Sequence, residues 1–388
     1  MSGQMQKFSV SADSRVLTPD VPGLAILRAA LASGAAIHAR QSGPDPIAPD
    51  VCAPPWLTCE TSGSSGPPKV IRRSPASWIA SFKVMQNRFA IGPGDTYLTF
   101  GSLGHSLPLY AVIEASHLGA DIALCPNPAR ADMTDGADEH LPTVIYATPT
   151  QLRLYLAHQS PGAKLRWVFA GGGKLDTATR QLLQNRAPQA QVVEFFGASE
   201  TSFITLSDHD TPQGSVGRAY PGVDLRIGPG GLPPHKTAEL WVRSPYLFQG
   251  YASGGSGDTE WRDGYLSIGE LGYLDSAGHL FLRGRKNRMF TVADKNVFPE
   301  EIEATIARFA GVRHCAVVPR SDAQRGHVAI CFLEARGPLD LARLRQLCRT
   351  AHGAHSVPRE FRILPEIPLL AAGKPDLTAL TRLSETPA

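Results

Sequence analysis

Residues 61–69, TSGSSGPPK, combine small flexible positions and hydroxyl side chains with a terminal lysine. Backbone N–H groups in a glycine- and serine-rich turn can converge on an anion, and hydroxyl groups add further donors. Proline has no N–H group, so Pro67 and Pro68 can only stiffen the exit of the loop and fix the direction of Lys69. The P-loop of nucleoside triphosphatases would need glycine at 68 and serine or threonine at 70, where this chain has Pro68 and Val70. By its own residues, the segment is either a phosphate-binding loop or a flexible connection.

Two other segments place small or polar residues at the ends of apolar runs. Gly171 ends the run RWVFAG, and Gly172 and Gly173 follow it. The missing side chains would let a nucleotide or an acyl group pass close to the backbone. A structural turn is the competing interpretation. Glu200 ends the turn GASE, where one carboxylate can hold Mg²⁺ against substrate phosphates, beside the hydroxyl of Ser199. A glutamate that caps a helix is the alternative there.

The composition excludes several functional classes. A net charge of +3 over 388 residues is too small to indicate a nucleic-acid partner, and no basic run with interleaved aromatic residues occurs. The six cysteines form no CxxC pair and no zinc-like cluster, so reduced thiols in a cytoplasmic protein are expected. Residues 21–39 are apolar but contain charge, and Leu24, Leu27 and Leu31 share one helical face. We therefore expect an amphipathic helix there and no membrane span.

The segments that must position these residues alternate between strand and helix patterns from Trp56 to about Ala219. Apolar runs predict buried strands at residues 95–100, 120–126, 142–147, 166–171 and 191–197. The intervening segments TPTQLRLYLAHQ and DTATRQLLQNRA have helical spacing, with Thr148 or Thr150 and Asp176 as N-caps. This alternation favours a mostly parallel sheet with helices on both faces.

After Gly214 the pattern changes to short strands joined by glycine-rich turns, and a compact α+β segment follows. The predicted fold class is α/β, with a large N-terminal body of parallel-type sheets flanked by helices, a small β subdomain, and a separate small α+β C-terminal domain. The expected N-terminal domain is 1–286, with an α/β part at 56–219 and a β-rich part at 220–286. The expected C-terminal domain is 287–388.

Five motifs, in this order, resemble those of the adenylate-forming enzymes, a family of acyl- and aryl-CoA synthetases, peptide-synthetase adenylation domains and luciferases. They are TSGSSGPPK at 61–69, FFGASET at 195–201, GELGYLDSAGHLFLRGRKNRMF at 269–290, VFPEEIE at 297–303 and PLLAAGKPDLTAL at 368–380. The resemblance runs from about Trp56 to the C-terminus. It implies the adenylate-forming enzyme fold with a mobile C-terminal domain.

The resemblance also implies a reaction, in which ATP and Mg²⁺ activate a carboxylic acid. It implies Lys374 as the catalytic cation, Glu200 as the metal ligand and His105 at the border of the acyl pocket. The nucleotide-binding residues that it implies are Thr61, Ser62, Gly63, Ser64, Ser65, Gly66, Lys69, Gly171, Gly172, Phe196, Gly197, Ser199, Glu270 and Arg285. From residue type alone, Lys374 could be a surface lysine, His105 a core histidine, and Arg285 part of a surface salt bridge.

Several positions depart from the family pattern. Phe196 replaces a tyrosine that stacks on adenine, and Glu270 replaces an aspartate that holds the ribose hydroxyls. Asn287 occupies the hinge position, and Ala293 and Asp294 stand where a glycine usually allows pantetheine to pass. The resemblance therefore supports adenylation more strongly than transfer to CoA or to the phosphopantetheine of an acyl carrier protein.

The acid itself is expected to be a fatty, aryl or other non-amino acid. Residues 100–101 are Phe-Gly, where amino-acid-activating domains have a Phe-Asp pair for the substrate ammonium group. Only about sixty residues precede the loop, so reliance on a partner or a homodimer is a further expectation. One alternative is a non-catalytic nucleotide-binding relative acting as a partner subunit, which the joint presence of Lys69, Glu200, Arg285 and Lys374 disfavours. A serine hydrolase lacks support because no G-x-S-x-G motif occurs at GASET.

Overall fold

The computed structural model describes residues 6–18, 20–41, 43–61, 69–131, 140–255, 257–369 and 375–386. Within these ranges the helices are α1 (Leu24–Ser33), α2 (Pro75–Phe89), α3 (Ser106–Leu118), α4 (Pro149–His158), α5 (Thr177–Arg186), α6 (Pro299–Ile306), α7 (Leu341–His352) and α8 (Leu377–Glu385). The strands are β1 (Ala36–Ala39), β2 (Ile47–Asp50), β3 (Leu57–Thr61), β4 (Lys69–Arg73), β5 (Thr96–Phe100), β6 (Asp121–Cys125), β7 (Val144–Ala147), β8 (Trp167–Gly171), β9 (Gln191–Ala198), β10 (Ser202–Ser207), β11 (Arg218–Ala219), β12 (Asp224–Ile227), β13 (Ala238–Arg243), β14 (Gly250–Ser253), β15 (Glu260–Arg262), β16 (Tyr265–Ser267), β17 (Glu270–Leu274), β18 (Leu280–Arg285), β19 (Phe290–Val292), β20 (Lys295–Val297), β21 (Val312–Asp322), β22 (Gly326–Ala335) and β23 (Glu360–Leu364). None of the helices in the described ranges has the length and apolar character needed to cross a bilayer.

The largest sheet has the strand order β11-β10-β9-β8-β7-β5-β6. Strands β5 to β9 pair in parallel, as the alternating sequence pattern predicted, whereas β10 and β11 extend the sheet in antiparallel pairing. Alternate residues of β5 reach opposite faces, because successive side chains of a strand point in opposite directions. Tyr97 joins the core under α2 and α3, and Leu98 joins the core under α4 and α5. Helices therefore cover both faces, as predicted.

Two of the helices begin at the caps that the sequence indicated. The hydroxyl of Thr148, rather than that of Thr150, accepts from the N–H of Gln151 at 3.3 Å, and the Gln151 side chain accepts from the N–H of Thr148 at 2.9 Å. This reciprocal capping box fixes the start of α4. Asp176 caps α5 by accepting from the N–H of Thr179 at 2.8 Å.

A smaller sheet with the order β14-β4-β3-β1-β2 lies at the N-terminal side. Strands β3 and β4 form an antiparallel hairpin, and β14 pairs antiparallel with β4. Only the pairing of β1 with β3 is parallel within the described part of this sheet. The sequence did not predict this sheet, whose importance lies in the loop that joins β3 to β4.

The remaining sheets confirm the predicted change to β-rich and then α+β structure. One has the order β15-β16-β13-β17-β18, with β12 also paired to β13, and the other has the order β20-β19-β22-β21, with β23 paired to β22. Helices α6 and α7 pack on the second of these through a core that includes Ile302, Leu344 and Cys348. The change from one sheet to the next falls between Arg285 and Phe290. The exact division into domains at 286 and 287 stays a prediction.

Candidate active site

The predicted phosphate loop joins two strand ends that lie side by side. Thr61 ends β3 and Lys69 begins β4, and the two residues are directly opposite each other in the hairpin. The Thr61 hydroxyl donates to the carbonyl oxygen of Lys69 at 3.4 Å. The predicted residues Ser62, Gly63, Ser64, Ser65, Gly66 and Lys374 lie outside the described residues. The structure therefore fixes the base of the loop, and phosphate binding by the loop stays a prediction.

Glu200 lies in the turn between β9 and β10, and its side chain is partly buried. Its Oε1 accepts a hydrogen bond from the Tyr251 hydroxyl at 2.9 Å, and its backbone carbonyl accepts from the N–H of Phe248 at 2.8 Å. Burial and the Glu200 charge both raise the pKa of Tyr251, so the hydroxyl stays protonated and donates. Among the described residues, Oε2 of Glu200 has no hydrogen-bond partner. One held and one available carboxylate oxygen fit Mg²⁺, which takes few protein carboxylates beside water and substrate phosphates.

A buried arginine that the motifs did not indicate holds the same turn. Arg73 is the last residue of β4, and it is only 1% exposed. Its Nη2 donates to the carbonyl oxygen of Ser199 at 2.5 Å, and its Nη1 donates to the carbonyl oxygen of Tyr246 at 2.7 Å. Burial lowers the pKa of Arg73 to about 10, and the nearby Cys59 and Glu200 oppose this shift. Within the described ranges, no carboxylate forms an ion pair with this guanidinium.

The N-terminus of α3 meets the turn from another side. The hydroxyls of Ser106 and Ser199 are 2.9 Å apart, and the Ser106 hydroxyl also lies 3.5 Å from Sγ of Cys59. His105 occupies the N-cap position of α3, where its side chain is exposed and makes no capping hydrogen bond. It is therefore not a core histidine, and it lies next to Ser106 at the edge of the candidate site.

The ends of β8 and β9 bring the predicted glycines against an aromatic ring. Gly171 pairs with Phe195 across the parallel strands. A Cβ atom at position 171 would lie 2.1 Å from Cζ of Phe195, so only glycine leaves room for this ring. Gly172 follows with a φ of +79° and turns the chain away from the strand. These residues line the carboxyl end of the sheet, where ligands of α/β proteins bind.

The next residues of β9 close the hairpin that carries Glu200. A Cβ atom at Gly197 would lie 2.0 Å from the carbonyl oxygen of Ser202, which explains the glycine at this position. Phe196 precedes it, pairs with Thr205 and is partly exposed. The proposed stacking of this ring on adenine stays a prediction.

Glu270 and Arg285 form a second cluster on the neighbouring β-rich sheet. They are cross-strand partners in β17 and β18, and Nε of Arg285 donates to Oε1 of Glu270 at 3.0 Å. Glu270 is 7% exposed, whereas the Arg285 side chain is half exposed. The surface salt bridge considered for Arg285 is thus present, and its partner is the residue proposed to bind ribose.

A short polar chain connects the predicted hinge to Glu200. The side-chain amide of Asn287 donates to Asp258 at 2.8 Å. The hydroxyl of the next residue, Thr259, lies 2.9 Å from the hydroxyl of Tyr251, which donates to Glu200. The described part of the structure therefore joins the motifs through residues that no motif contains, namely Arg73, Ser106 and Tyr251.

Comparisons with known proteins identify relatives of this chain. A family model described as AMP-binding enzyme matches residues 23–252, and a model described as AMP-binding enzyme C-terminal domain matches residues 301–374. An uncharacterized acyl–CoA ligase, YhfT, from Bacillus subtilis (strain 168) is 28% identical over 327 residues, covering 82% of this chain and 67% of that protein. The indoleacetate–CoA ligase of Aromatoleum aromaticum is 29% identical over 346 residues, covering 82% of this chain and 65% of that protein. The chain thus spans about two thirds of the length of these relatives.

Solved structures show the same fold. The o-succinylbenzoate CoA synthetase MenE of Bacillus subtilis, in complex with its acyl-adenylate intermediate, matches with a TM-score of 0.74 at 22% identity, covering 88% of this chain and 72% of that chain. The same enzyme in complex with ATP and magnesium ion matches with a TM-score of 0.74 at 22% identity, covering 84% of this chain and 69% of that chain.

Proposed function

Because this chain belongs to the family of AMP-binding enzymes, the adenylate-forming enzymes, we propose that it activates a carboxylic acid with ATP and passes the acyl group to a thiol. In the first step, a carboxylate oxygen attacks the α-phosphorus, and the bond to the β-phosphate oxygen breaks as pyrophosphate leaves. In the second step, a thiolate attacks the acyl carbon, and the bond from that carbon to the AMP oxygen breaks. The non-catalytic partner-subunit alternative is not favoured.

One observation carries this proposal: three separate segments meet at the turn of Ser199 and Glu200. Arg73 extends to this turn from the strand that leaves the phosphate loop, Tyr251 from β14, and Ser106 from the start of α3. The first step brings two anions together, so it requires a site that neutralises charge along the path of attack. The contacts of Glu200, of the strand that leaves the predicted phosphate loop and of the start of α3 support a site of this kind at the turn.

The individual roles follow from chemistry and position. Glu200 would hold Mg²⁺, which would supply positive charge to the phosphates and to the departing pyrophosphate. The N–H groups of residues 62–66 and the Lys69 ammonium bind the β- and γ-phosphates. Lys374 contacts the substrate carboxylate and the α-phosphate, and His105 borders the acyl group. Glu270 accepts hydrogen bonds from the ribose hydroxyls, and Arg285 orients its carboxylate.

The neutral character of Gly101 supports a non-amino acid as the substrate. Gly101 has a φ of +98°, a conformation that an aspartate would adopt only with strain. The Gln151 amide nitrogen lies 3.5 Å from the position of a Cβ atom there, and it donates to the carbonyl oxygen of Phe100 at 3.2 Å. Among the described residues, the position therefore presents amide and backbone groups, and glycine itself supplies no counter-ion for an ammonium group. A fatty or aryl acid suits it better.

CoA is the acceptor that we propose, since both curated relatives described above are named as CoA ligases. A carrier-protein phosphopantetheine is the second candidate. Incubation of the protein with ATP, the activated acid and either CoA or a phosphopantetheinylated acyl carrier protein distinguishes them by the yield of thioester.

A homodimer and a cytoplasmic location also remain predictions of the sequence.

Acid-dependent exchange of labelled pyrophosphate into ATP tests the first step, with a panel of fatty, aryl and amino acids. We expect exchange with at least one fatty or aryl acid. Lys374→Ala and Glu200→Gln should each lower its rate by about a hundredfold or more, whereas the exposed control Lys164→Ala should not change it. Exchange that is absent with every acid, or retained in Lys374→Ala, contradicts the proposal.

A further inference from the structure

The turn that presents Glu200 contains a strained residue. Ser202, at its end, has a φ of +55°, in the left-handed region that residues other than glycine adopt at a cost. Such backbone persists where the surrounding structure holds it in place, and it is concentrated at functional sites. We call residues 199–202 the acidic turn.

Arg73 holds the first residue of the acidic turn. Its two terminal nitrogens separate to reach the carbonyl oxygens of Ser199 and Tyr246, and Nη1 also donates to the Ser77 hydroxyl at 3.1 Å. The planar guanidinium group can donate to both carbonyl oxygens at once, and we call this pair of hydrogen bonds the double grip. A lysine ammonium group cannot reproduce it. The acceptors are all uncharged. A buried cation with uncharged partners is expensive to maintain, so simple stability does not account for it.

Trp78, on α2, holds the last residue of the same turn. Its indole N–H donates to the Ser202 hydroxyl at 3.2 Å, and that hydroxyl donates to the carbonyl oxygen of Tyr246 at 3.3 Å. The Arg73 guanidinium carbon lies 5.3 Å from the centroid of the Trp78 ring, within the range of a cation–π contact. Both side chains are nearly inaccessible to solvent. They therefore hold the two ends of the acidic turn, and the carbonyl oxygen of Tyr246 accepts from both Arg73 and the Ser202 hydroxyl that Trp78 contacts.

The position of this pair in the chain connects it to the phosphate loop. Arg73 ends the strand that begins at Lys69, and Trp78 lies in the first turns of the helix that follows. We propose that Arg73 and Trp78 are positioning residues, which hold the acidic turn in its strained conformation and thereby orient the Glu200 carboxylate for its metal. The role of Glu200 toward a metal rests on the proposed function. The hydrogen bonds that hold the acidic turn do not depend on it.

Two measurements test the proposal on Arg73→Lys, Arg73→Met and Trp78→Phe. Arg72→Met is the matched control, because Arg72 is the exposed neighbour on the same strand and its guanidinium lies over Trp56. The first measurement is backbone amide hydrogen exchange of residues 195–205 without ligand. The second is calorimetric binding of ATP with and without Mg²⁺.

We expect exchange in the acidic turn to become about tenfold faster in Arg73→Met and Trp78→Phe. In Arg73→Lys, which retains the charge and loses the double grip, ATP should bind about tenfold more weakly in the presence of Mg²⁺. Binding without Mg²⁺ should change much less, and Arg72→Met should match the parent protein in both measurements. A purely structural role would not alter the Mg²⁺ dependence of folded protein.

If amide hydrogen exchange in the acidic turn is unchanged in the variants, Arg73 and Trp78 do not hold the turn and the proposal is wrong. Faster exchange with an unchanged effect of Mg²⁺ overturns the positioning role. If Arg73→Met fails to fold, Trp78→Phe decides both points, because it keeps an aromatic ring beside Arg73 and removes the N–H donor together with part of the indole. If the parent protein binds no ATP in the presence of Mg²⁺, the proposed function is contradicted. The hydrogen-exchange result then still tests whether Arg73 and Trp78 hold the acidic turn.

Discussion

The carboxyl group of Glu114 should make the stability of this protein depend on pH in a defined direction. Glu114 lies on α3 and is 0% exposed, under the central sheet. Tyr97 and Tyr146 donate to its Oε2 at 2.9 and 2.7 Å, and Tyr110 donates to its Oε1 at 2.8 Å. Among the described residues, no cation contacts the carboxyl group. Burial raises the pKa of Glu114 from its usual 4.5 to about 7, and the three phenol donors only partly oppose this shift.

The size of the effect follows from linkage between protonation and folding. Between pH 4.5 and about 7 the unfolded chain has released this proton while the folded chain still holds it. Stability therefore falls as pH rises through this interval, and the loss is complete above about pH 7. At 1.36 kcal/mol for each unit, the shift corresponds to roughly 3 kcal/mol of unfolding free energy.

Replacement of Glu114 by glutamine should remove this contribution and keep the packing. The amide oxygen can accept from Tyr97 and Tyr146, and the amide nitrogen can donate to Tyr110, whose hydroxyl lies 2.8 Å from that of Ser81. Urea denaturation of both proteins from about pH 5 to about pH 8.5 gives the difference in unfolding free energy, in which all other titrating groups cancel. We expect the parent to lose about 2.5 kcal/mol relative to Glu114→Gln across this range, because part of the total loss lies below pH 5.

The exposed control Glu366→Gln should show a flat difference over the same range. A flat difference for Glu114→Gln as well refutes the raised pKa. A parent that gains stability with rising pH, relative to Glu114→Gln, shows that the three tyrosine donors outweigh burial and keep the carboxylate ionised.

Three further changes should alter the free energy of unfolding by amounts that denaturant titration resolves. Ala293→Asn combined with Asp294→Gly should stabilise by about 1 kcal/mol, because these residues form the two-residue β19–β20 turn with φ values of 48° and 62°. Arg288→Met should destabilise by about 3 kcal/mol, since Glu303 loses donors at 3.0 and 2.6 Å in a largely buried pair. Thr148→Ala should cost about 1 kcal/mol through loss of the capping box, and Thr148→Ser should retain it. An unchanged midpoint for any of these contradicts the interaction assigned to it.

The parallel part of the central sheet could be predicted because its strands are buried along their whole length. Every residue of β5, β6 and β7 is buried, so each appears in the sequence as a continuous run between turn residues. Strands such as β2, IAPD, and β11, RA, are short, and neither is buried along its whole length. Their formation depends on the neighbouring strand with which each pairs, and the local sequence does not specify that neighbour.

The motifs predicted which residues bind substrate, but they did not predict what holds those residues together. Arg73 and Ser199 are 126 positions apart, and Glu200 and Tyr251 are 51 positions apart. Contacts over such separations arise from sheet order, which one sequence does not specify. Period-2 alternation offered one usable signal, because Ile71 and Arg73 share the buried face of β4. An arginine at an inward-facing position of a strand indicates a buried cation. Because burying a charge is costly, such a residue is a candidate for a specific role.

The β19–β20 turn, near the predicted hinge, lacks the glycine that the family motif has. Its backbone nevertheless adopts a conformation that favours glycine. Ala293 and Asp294 both have positive φ, so the chain follows a path that favours glycine without having one there. The substitution therefore places two side chains beside the turn and adds strain, while the backbone still reverses between β19 and β20. The passage of pantetheine beside this turn stays a prediction of the family resemblance. If it passes there, it meets the two Cβ atoms of Ala293 and Asp294 in place of a glycine.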